Sequence, residues 1–243
     1  MDHDTAPPWF FVPRIDENPL RVTGDEAHHI RTTRRLRAGD RLVLFDGAGG
    51  EVQGTIEYID RHEVGVALAS VTTHPRPAGG LTLATCMPKG RRQDILIEKA
   101  TELSVAAVWP MITARSVVRP DAIRVSKWQR TAIEAAKQSR QPFMPEIGQP
   151  TDFDTVLERF ARFDRILLAA PDPEAVSPAD LFRSGNADTR FLALIGPEGG
   201  FTAEEHHTAV SAGAVPVRLA PAILRVETAA LTVAATVAAY RVG

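Results

Sequence analysis

The chain has 243 residues, long enough for one large domain or two small ones, and its 44% hydrophobic content is ample for a buried core. Its one cysteine, Cys86, excludes a disulfide framework and a cysteine-based zinc site. The net charge of −2 is unevenly spread. Residues 1–80 hold nine Arg against twelve acids, residues 81–142 eleven Lys and Arg against five, and residues 143–243 eight against thirteen. A basic middle between acidic flanks suits a polyanionic partner, and equally a pair of solvated helix faces.

The opening Met-Asp-His-Asp has neither a basic n-region nor an apolar h-region, so no signal peptide is expected. Trp9-Phe10-Phe11-Val12 reads as a short apolar strand ended by Pro13. Asp25 to Arg37 reads as a helix with Ile30 and Thr33 on one face and five Arg between positions 31 and 41. The Arg fork matches phosphate geometry, so His29, Arg31, Arg34 and Arg35 are candidate RNA contacts. His28 and His29 are adjacent, but no third ligand is spaced to join them, and no metal is expected. Arg41–Phe45 and Glu51–Ile59 alternate like two strands around an Asp46-Gly-Ala-Gly-Gly50 turn, and His62–Val71 adds another. Short strands, one helix and an Arg-rich edge predict a small β-barrel over residues 1–74. His74-Pro-Arg-Pro-Ala-Gly-Gly80 marks a linker at 75–80.

From Leu81 the pattern changes to strand and helix in alternation. Strands are expected at Leu81–Met87, Val105–Pro110, Arg165–Ala169, Phe191–Ile195 and Val215–Leu219. Helices are expected at Arg92–Leu103, Arg124–Arg140 and about Thr228–Tyr240. This predicts an α/β domain over 81–243 whose largely parallel sheet is covered on both faces. The longest apolar run, Ala229–Tyr240, is too short to span a bilayer, so a soluble, cytoplasmic protein is expected.

Ligands of such sheets sit beyond the carboxyl ends of the strands. Three loops meet that description: Ala169-Ala170-Pro171, Gly196-Pro197-Glu198-Gly199-Gly200, and Ala220 to Arg225. The glycine loop is not a Walker loop, since no Lys-Ser or Lys-Thr follows it, and it lacks the G-x-G-x-x-G spacing. Glu198 would sit badly beside a pyrophosphate, so a ligand without phosphates suits it better. A tight connection with no ligand explains the glycines as well. Thr202 with Glu205 makes a capping box for the next helix, and Gly213 a stop. Further on, Thr228 or Glu227 is an ordinary cap candidate with Arg225 as its ion-pair partner.

Ile195-Gly-Pro-Glu-Gly-Gly-Phe201 and Leu219-Ala-Pro-Ala-Ile-Leu-Arg-Val-Glu-Thr-Ala229 resemble the RsmE family of the SPOUT superfamily, enzymes that methylate uridine N3 in small-subunit (16S) ribosomal RNA. Lys89-Gly90, Glu98-Lys99-Ala-Thr-Glu-Leu103 and Glu134-Ala-Ala-Lys-Gln-Ser-Arg140 follow the family pattern in the same order, so the resemblance covers nearly the whole chain. Ala220 and Ala222 stand where members often carry Gly and Arg, and the role of that Arg is not carried over.

The resemblance implies an N-terminal PUA-like RNA-binding domain and a SPOUT domain with a trefoil knot around S-adenosyl-L-methionine. It also implies a homodimer through the C-terminal domain, acting on ribosomal RNA with no membrane. Ala169, Ala170, Gly196, Pro197, Glu198, Gly199, Gly200, Leu219, Ala220, Ile223, Leu224 and Arg225 are then expected around the donor. Arg225 is expected to stabilise the N3 anion, with Glu198, Glu227 and Thr228 orienting it or accepting the proton. Lys89, Arg91, Gln138 and Arg140 are expected against RNA, although a capped helix end explains the last two as well. The rival reading is a non-enzymatic RNA binder with a degenerate donor site. A nucleotide hydrolase is the more remote one.

Overall fold

The computed structural model describes residues 6–170, 172, 174–178 and 186–242. They form two compact units: residues up to Arg76 together with Ile133–Met144, and Pro77–Ala132 together with residues from Pro145 on. The division is discontinuous, a return of residues 133–144 that two consecutive segments do not anticipate.

The first unit is a sheet of β1 (Trp9–Phe11), β2 (Leu20–Thr23), β3 (Arg41–Phe45), β4 (Gly50–Ile59), β5 (Glu63–Leu68) and β6 (Thr72–Thr73). The ladder runs β1-β3-β4-β5-β2 with β6 on β4, and only β1–β3 is parallel. Among the described residues no ladder joins β1 to β2, so the expected barrel is a sheet without hydrogen-bonded closure there. Alternation explains the core. In β4, Val52 and Ile56 are buried while Gln53, Thr55 and Glu57 face out, and the inward set packs on Phe10, Leu42, Leu44, Val64 and Ile30.

The expected helix over Asp25–Arg37 is shorter. Helix α1 (Gly24–His28) passes into a π-helical turn, His29–Thr33. The Leu36 N–H then donates to the Ile30 carbonyl at 3.1 Å, with Arg35 at φ 54°. That left-handed closure ends the helix, so Arg34 to Arg37 lie beyond it and Thr33 is exposed instead of sharing the face of Ile30. The Asp46–Gly50 segment is the expected hairpin turn, held by the Asp46 carboxylate accepting from the Ala48 and Gly50 N–H groups at 2.7 and 2.9 Å. Pro142 and Met144 bond its backbone in turn, and a β-carbon on Gly49 would lie 2.7 Å from the Phe143 ring.

The second unit is a parallel sheet of β7 (Gly80–Thr85), β8 (Ala107–Ile112), β9 (Glu146–Ile147), β10 (Thr151–Asp152), β11 (Arg165–Ala169), β12 (Arg190–Ile195) and β13 (Val215–Val217). Its order is β10-β8-β7-β12-β11-β13, with β9 on β8, and every described pair is parallel. The helices are α2 (Arg92–Glu102), α3 (Ala122–Ser139, shared with the first unit from Ile133), α4 (Phe153–Leu157), α5 (Ala203–Ser211) and α6 (Val226–Val242).

Successive strand residues enter different cores. Phe191, Ala193 and Ile195 join Leu96, Ile97, Trp128 and Val233, whereas Leu192 and Leu194 join Phe153, Val156, Phe160 and Ala209. Both faces are therefore covered, which is why these strands read as continuous apolar runs. Helix α6 buries Val226, Ala229, Ala230, Val233, Ala234 and Val237, one helical stripe of small side chains that lets it lie close to the sheet. No helix among the described residues is long and apolar enough to cross a membrane.

Two boundaries near the carboxyl edge differ from expectation. Strand β13 stops at Val217, leaving Arg218 and Leu219 outside it, and α6 begins at Val226. The Ala229 N–H donates to the Arg225 carbonyl at 2.8 Å, so Arg225 holds the cap position while Glu227 and Thr228 lie inside the first turn.

Candidate active site

Ladder register fixes where the three loops leave the sheet. Thr85 pairs with Ile195, Ile195 with Ala169, and Ala169 with Val217, so β7, β12, β11 and β13 end level with one another. The segments that follow begin along one edge, as a parallel sheet requires.

In the glycine loop the Gly200 N–H donates to the Pro197 carbonyl at 2.8 Å, with Gly200 at φ +69°. A β-carbon on Gly200 would meet nothing within 4 Å, whereas one on Gly196 would stand 2.9 Å from the Phe201 ring. Phe201 thus folds back over Gly196 while the Gly200 side stays open. The capping box forms: the Glu205 N–H donates to Thr202 Oγ1 at 3.1 Å, and the Thr202 N–H to Glu205 Oε2 at 2.8 Å. Gly213, at φ +106°, ends α5 as expected.

The loop between Val217 and Val226 has no regular structure. Leu219, Ala220 and Leu224 are half-buried, and Ala222 and Arg225 exposed. Ile223 is 91% exposed, a large apolar side chain left uncovered within the chain. Ala169 and Ala170 are half-buried at the end of β11, and Pro171 lies outside the described residues.

Arg92, at the start of α2, gathers the acidic candidates. Its Nη1 is 3.5 Å from Glu227 Oε1 and its Nη2 3.8 Å from Glu198 Oε1. The ion-pair partner of Glu227 is therefore Arg92, not Arg225 as expected. The Glu227 side chain is only 12% exposed, and its Oε2 is buried with no hydrogen-bond partner among the described residues. Thr228, one residue on, is exposed. Sequence reasoning missed Arg92, and also Arg115, whose Nη1 donates to the Gly199 carbonyl at 2.8 Å and the Phe201 carbonyl at 3.2 Å. No local signal marks either: Arg92 looks like one more basic residue at a helix start, and Arg115 sits in an ordinary turn. Cys86, just past β7, is buried, and that burial pushes its thiol up, away from a reactive thiolate.

The RNA candidates divide by unit. Exposed Lys89 and Arg91 belong to the second unit, before α2, beside Gly90 at φ +65°. His29, Arg31, Arg34, Arg35, Gln138 and Arg140 belong to the first. Arg34, Arg35, Gln138 and Arg140 are exposed. Arg31 Nη1 donates to the Asp60 carbonyl at 3.2 Å and also to the Arg61 carbonyl, so its fork is partly committed to backbone. His29 is half-buried with its ring edge-on to Phe10 at 5.6 Å, and Lys137 Nζ is 3.4 Å from its Nδ1.

The fold brings Glu26 and Glu134 to His29, a grouping that sequence spacing did not reveal. Lys137 is central to it, donating to Glu26 at 2.8 Å and to Glu134 at 2.7 Å. Its ammonium supplies there the positive charge that a metal ion would otherwise bring. Burial raises the Glu26 carboxyl, against the pull of Lys137, and burial together with Lys137 lowers the His29 imidazole.

Known proteins match this arrangement along most of its length. An RNA methyltransferase domain model matches residues 74–238, and an RNA methyltransferase PUA domain model matches residues 22–68. Ribosomal RNA small subunit methyltransferase E of Bacillus subtilis is 30% identical over 228 residues, covering 90% of this chain and 89% of its own. A protein of Legionella pneumophila described as a methyltransferase, solved with the cofactor SAM bound, is 29% identical with a TM-score of 0.86, over 97% of this chain and 98% of that one. Ribosomal RNA small subunit methyltransferase E of Neisseria gonorrhoeae, solved bound to S-adenosyl methionine, is 26% identical with a TM-score of 0.83, over 95% and 96%. With its PUA-like and methyltransferase domains both matched, the chain belongs to the RNA methyltransferase family that includes ribosomal RNA small subunit methyltransferase E.

Proposed function

We propose that this chain transfers the methyl group of S-adenosylmethionine to N3 of a uridine in small-subunit ribosomal RNA. The observation that carries the reading is the position of Arg92, whose single guanidinium reaches both the glycine loop, at Glu198, and the first turn of α6, at Glu227. Two segments 29 residues apart in the chain, each next to a loop at the carboxyl edge, are thereby held together. Family membership and the donor-bound relatives support the same conclusion.

The residues suit this donor. The open side of Gly200 admits a ligand close to backbone, Leu219, Ile223 and Leu224 offer apolar walls, and the flanking charges include carboxylates, which favour a sulfonium over a phosphate. Ala169, Ala170, Gly196, Pro197, Gly199 and Ala220 complete the lining. When bound, the donor supplies an electrophilic methyl group. The chain's own task is to orient the acceptor and remove the N3 proton. Arg225, exposed at the cap of α6, is assigned to stabilise negative charge on N3 and its flanking carbonyl oxygens. The Glu227 carboxylate, whose Oε2 has no hydrogen-bond partner among the described residues, is assigned to receive the proton, with Arg92 orienting it through Oε1.

A uridine that is paired or stacked must leave the helix before N3 is accessible. The exposed arginines and Gln138 of the first unit are assigned to the RNA backbone around it. The trefoil knot and the homodimer belong to the same reading. Ile95 and Ile123, exposed in the second unit, are large apolar side chains that such a dimer would have to cover or leave in water.

The test uses small ribosomal subunits and free 16S RNA from cells lacking this gene, incubated with protein and methyl-labelled donor. Methylation at N3 removes a Watson–Crick donor, so reverse transcriptase should stop at one uridine, only with protein and donor both present. No incorporation into either substrate would defeat the proposal. Incorporation without a reverse-transcriptase stop would retain methyl transfer and reject N3.

A further inference from the structure

The turn after β8 is built as a brace for the glycine loop. The Ser116 N–H donates to the Thr113 carbonyl at 3.1 Å, and the Thr113 N–H donates to Ser116 Oγ at 2.9 Å, closing Thr113–Ser116 on itself. Its inner side is anchored: Thr113 is buried, and the two hydroxyls lie 3.7 and 3.4 Å from Cys86 Sγ, next to the end of β7. Its outer side makes three bonds to the segment after β12. Arg115 Nη1 donates to the carbonyls of Gly199 and Phe201, and the Ala114 N–H donates to Glu205 Oε1 at 2.7 Å. Glu205 simultaneously caps α5 through Oε2.

A glycine-rich loop loses more conformational freedom on ordering than any other, so its bound shape must be held by something outside it. Within the loop, the Gly200-to-Pro197 bond and the Phe201 ring over Gly196 fix only part of the path. The carbonyls of Gly199 and Phe201 flank Gly200, the residue at φ +69° with open space beside it. A cation donating to both directs those oxygens toward itself and sets the orientation of the peptide units around Gly200.

We infer that Arg115 is a positioning residue for the methyl-donor site, holding the Gly199–Phe201 backbone in its donor-binding shape from the turn after β8. The inference rests on the donor reading of the glycine loop. It assigns Arg115 no contact with donor or RNA, and it predicts an effect on donor affinity before any on the chemical step. One guanidinium nitrogen serves two carbonyls, and a lysine ammonium, which reaches less far and lacks the planar fork, reproduces that geometry only in part.

The test compares full-length wild type, Arg115→Ala and Arg115→Lys. Titration calorimetry with S-adenosylmethionine should show affinity lower by on the order of tenfold in Arg115→Ala, the usual scale for losing a charge-assisted hydrogen bond, with partial recovery in Arg115→Lys. KM for the donor should rise with kcat near the parent value. Hydrogen–deuterium exchange should quicken in the peptide covering residues 196–205 and stay unchanged in β7 and β12. Parent-like affinity and exchange in Arg115→Ala would overturn the inference, and so would a uniform rise in exchange through the whole unit. If the wild type itself fails to bind the donor, the proposed function falls and the donor half of this inference falls with it. The exchange measurement then still decides whether Arg115 braces the loop.

Discussion

Arg92 Nη1 lies 3.5 Å from Glu227 Oε1, and the same guanidinium reaches Glu198 at 3.8 Å. Both separations exceed a well-formed hydrogen bond, so the contact acts chiefly as a charge pair. Glu227 is far less exposed than Glu198, 12% against 42%, and the pairing matters more to it. Arg92→Ala should lower stability by about 1 kcal/mol, because one partner is nearly buried and the other is solvent-screened. Its effect on turnover should be larger, since Glu227 loses its orientation. A double-mutant cycle with Glu227→Gln checks this. Additive losses in kcat would mean that the two residues act independently.

Arg225 stands apart from that pair and should behave differently. Arg225→Ala should reduce kcat by about 100-fold or more, the scale for losing one preorganised charge at a developing anion. Donor affinity measured by calorimetry should change little. Methylation near the parent rate would remove Arg225 from the mechanism.

These two arginines show what was legible in the chain and what was not. The capping box of Thr202 and Glu205 and the stop at Gly213 were readable because each is written within a few residues. The two-faced parallel sheet was readable because its strands are continuous apolar runs. The Arg92–Glu227 pair spans 135 positions and exists only because α2 and α6 pack on the same face of the sheet. The link from Arg115 to Gly199 spans 84 positions, across a parallel crossover. Helix α3 reads as one continuous element, so no local feature announces that its last turns, with Lys137 and Glu134, belong to the first unit. Charged side chains choose partners by tertiary position, and periodicity carries no information about that choice.

The Lys137 cluster makes a pH prediction for the first unit. His29 is lowered below its ordinary 6.5, so the unfolded chain takes up that proton first as pH falls. Its contribution to stability is present above pH 6.5 and is lost as pH drops through the lower folded value. Glu26 is raised above 4.5, so its folded form takes up a proton first. Stability from that group is present below pH 4.5 and is lost as pH rises through the folded value. Thermal melts should therefore show a decline just below pH 6.5 and a partial recovery as pH approaches 4.5. His29→Asn should flatten the first limb and Glu26→Gln the second. A first limb that is unchanged in His29→Asn would assign it to another group.

Arg140 follows the last residue of α3 in the left-handed region at φ 54°, and the Gln141 N–H donates to the Ala136 carbonyl at 3.1 Å. Glycine is the residue best suited to that closing position, and a side chain there carries a penalty of roughly 1 kcal/mol. Arg140→Gly should therefore stabilise the protein by up to about 1 kcal/mol. If the exposed guanidinium contacts RNA, the same change should weaken RNA binding and reduce the salt dependence of affinity by about one phosphate contact. A more stable variant with unchanged RNA affinity and salt slope would show that Arg140 is only a helix cap.

The glycine loop offers a graded test within one segment. A methyl group on Gly196 would stand 2.9 Å from a Phe201 ring that also packs on Phe153 at 6.0 Å, so the ring must move and the loop with it. Gly196→Ala should cost about 1–3 kcal/mol of stability through overpacking and weaken donor binding. Gly199→Ala places its methyl group 3.6 Å from Arg115, an ordinary contact without a positive φ, and should be nearly neutral for stability. Gly200→Ala has room but sits at φ +69°, so it should cost about 1 kcal/mol through backbone strain. The new methyl group would also occupy the open side assigned to the donor. Donor affinity should therefore fall most in Gly200→Ala relative to its stability loss, and melts beside calorimetry on the three variants check the order. If donor affinity simply tracks stability across the series, the open side of Gly200 is not where the donor lies.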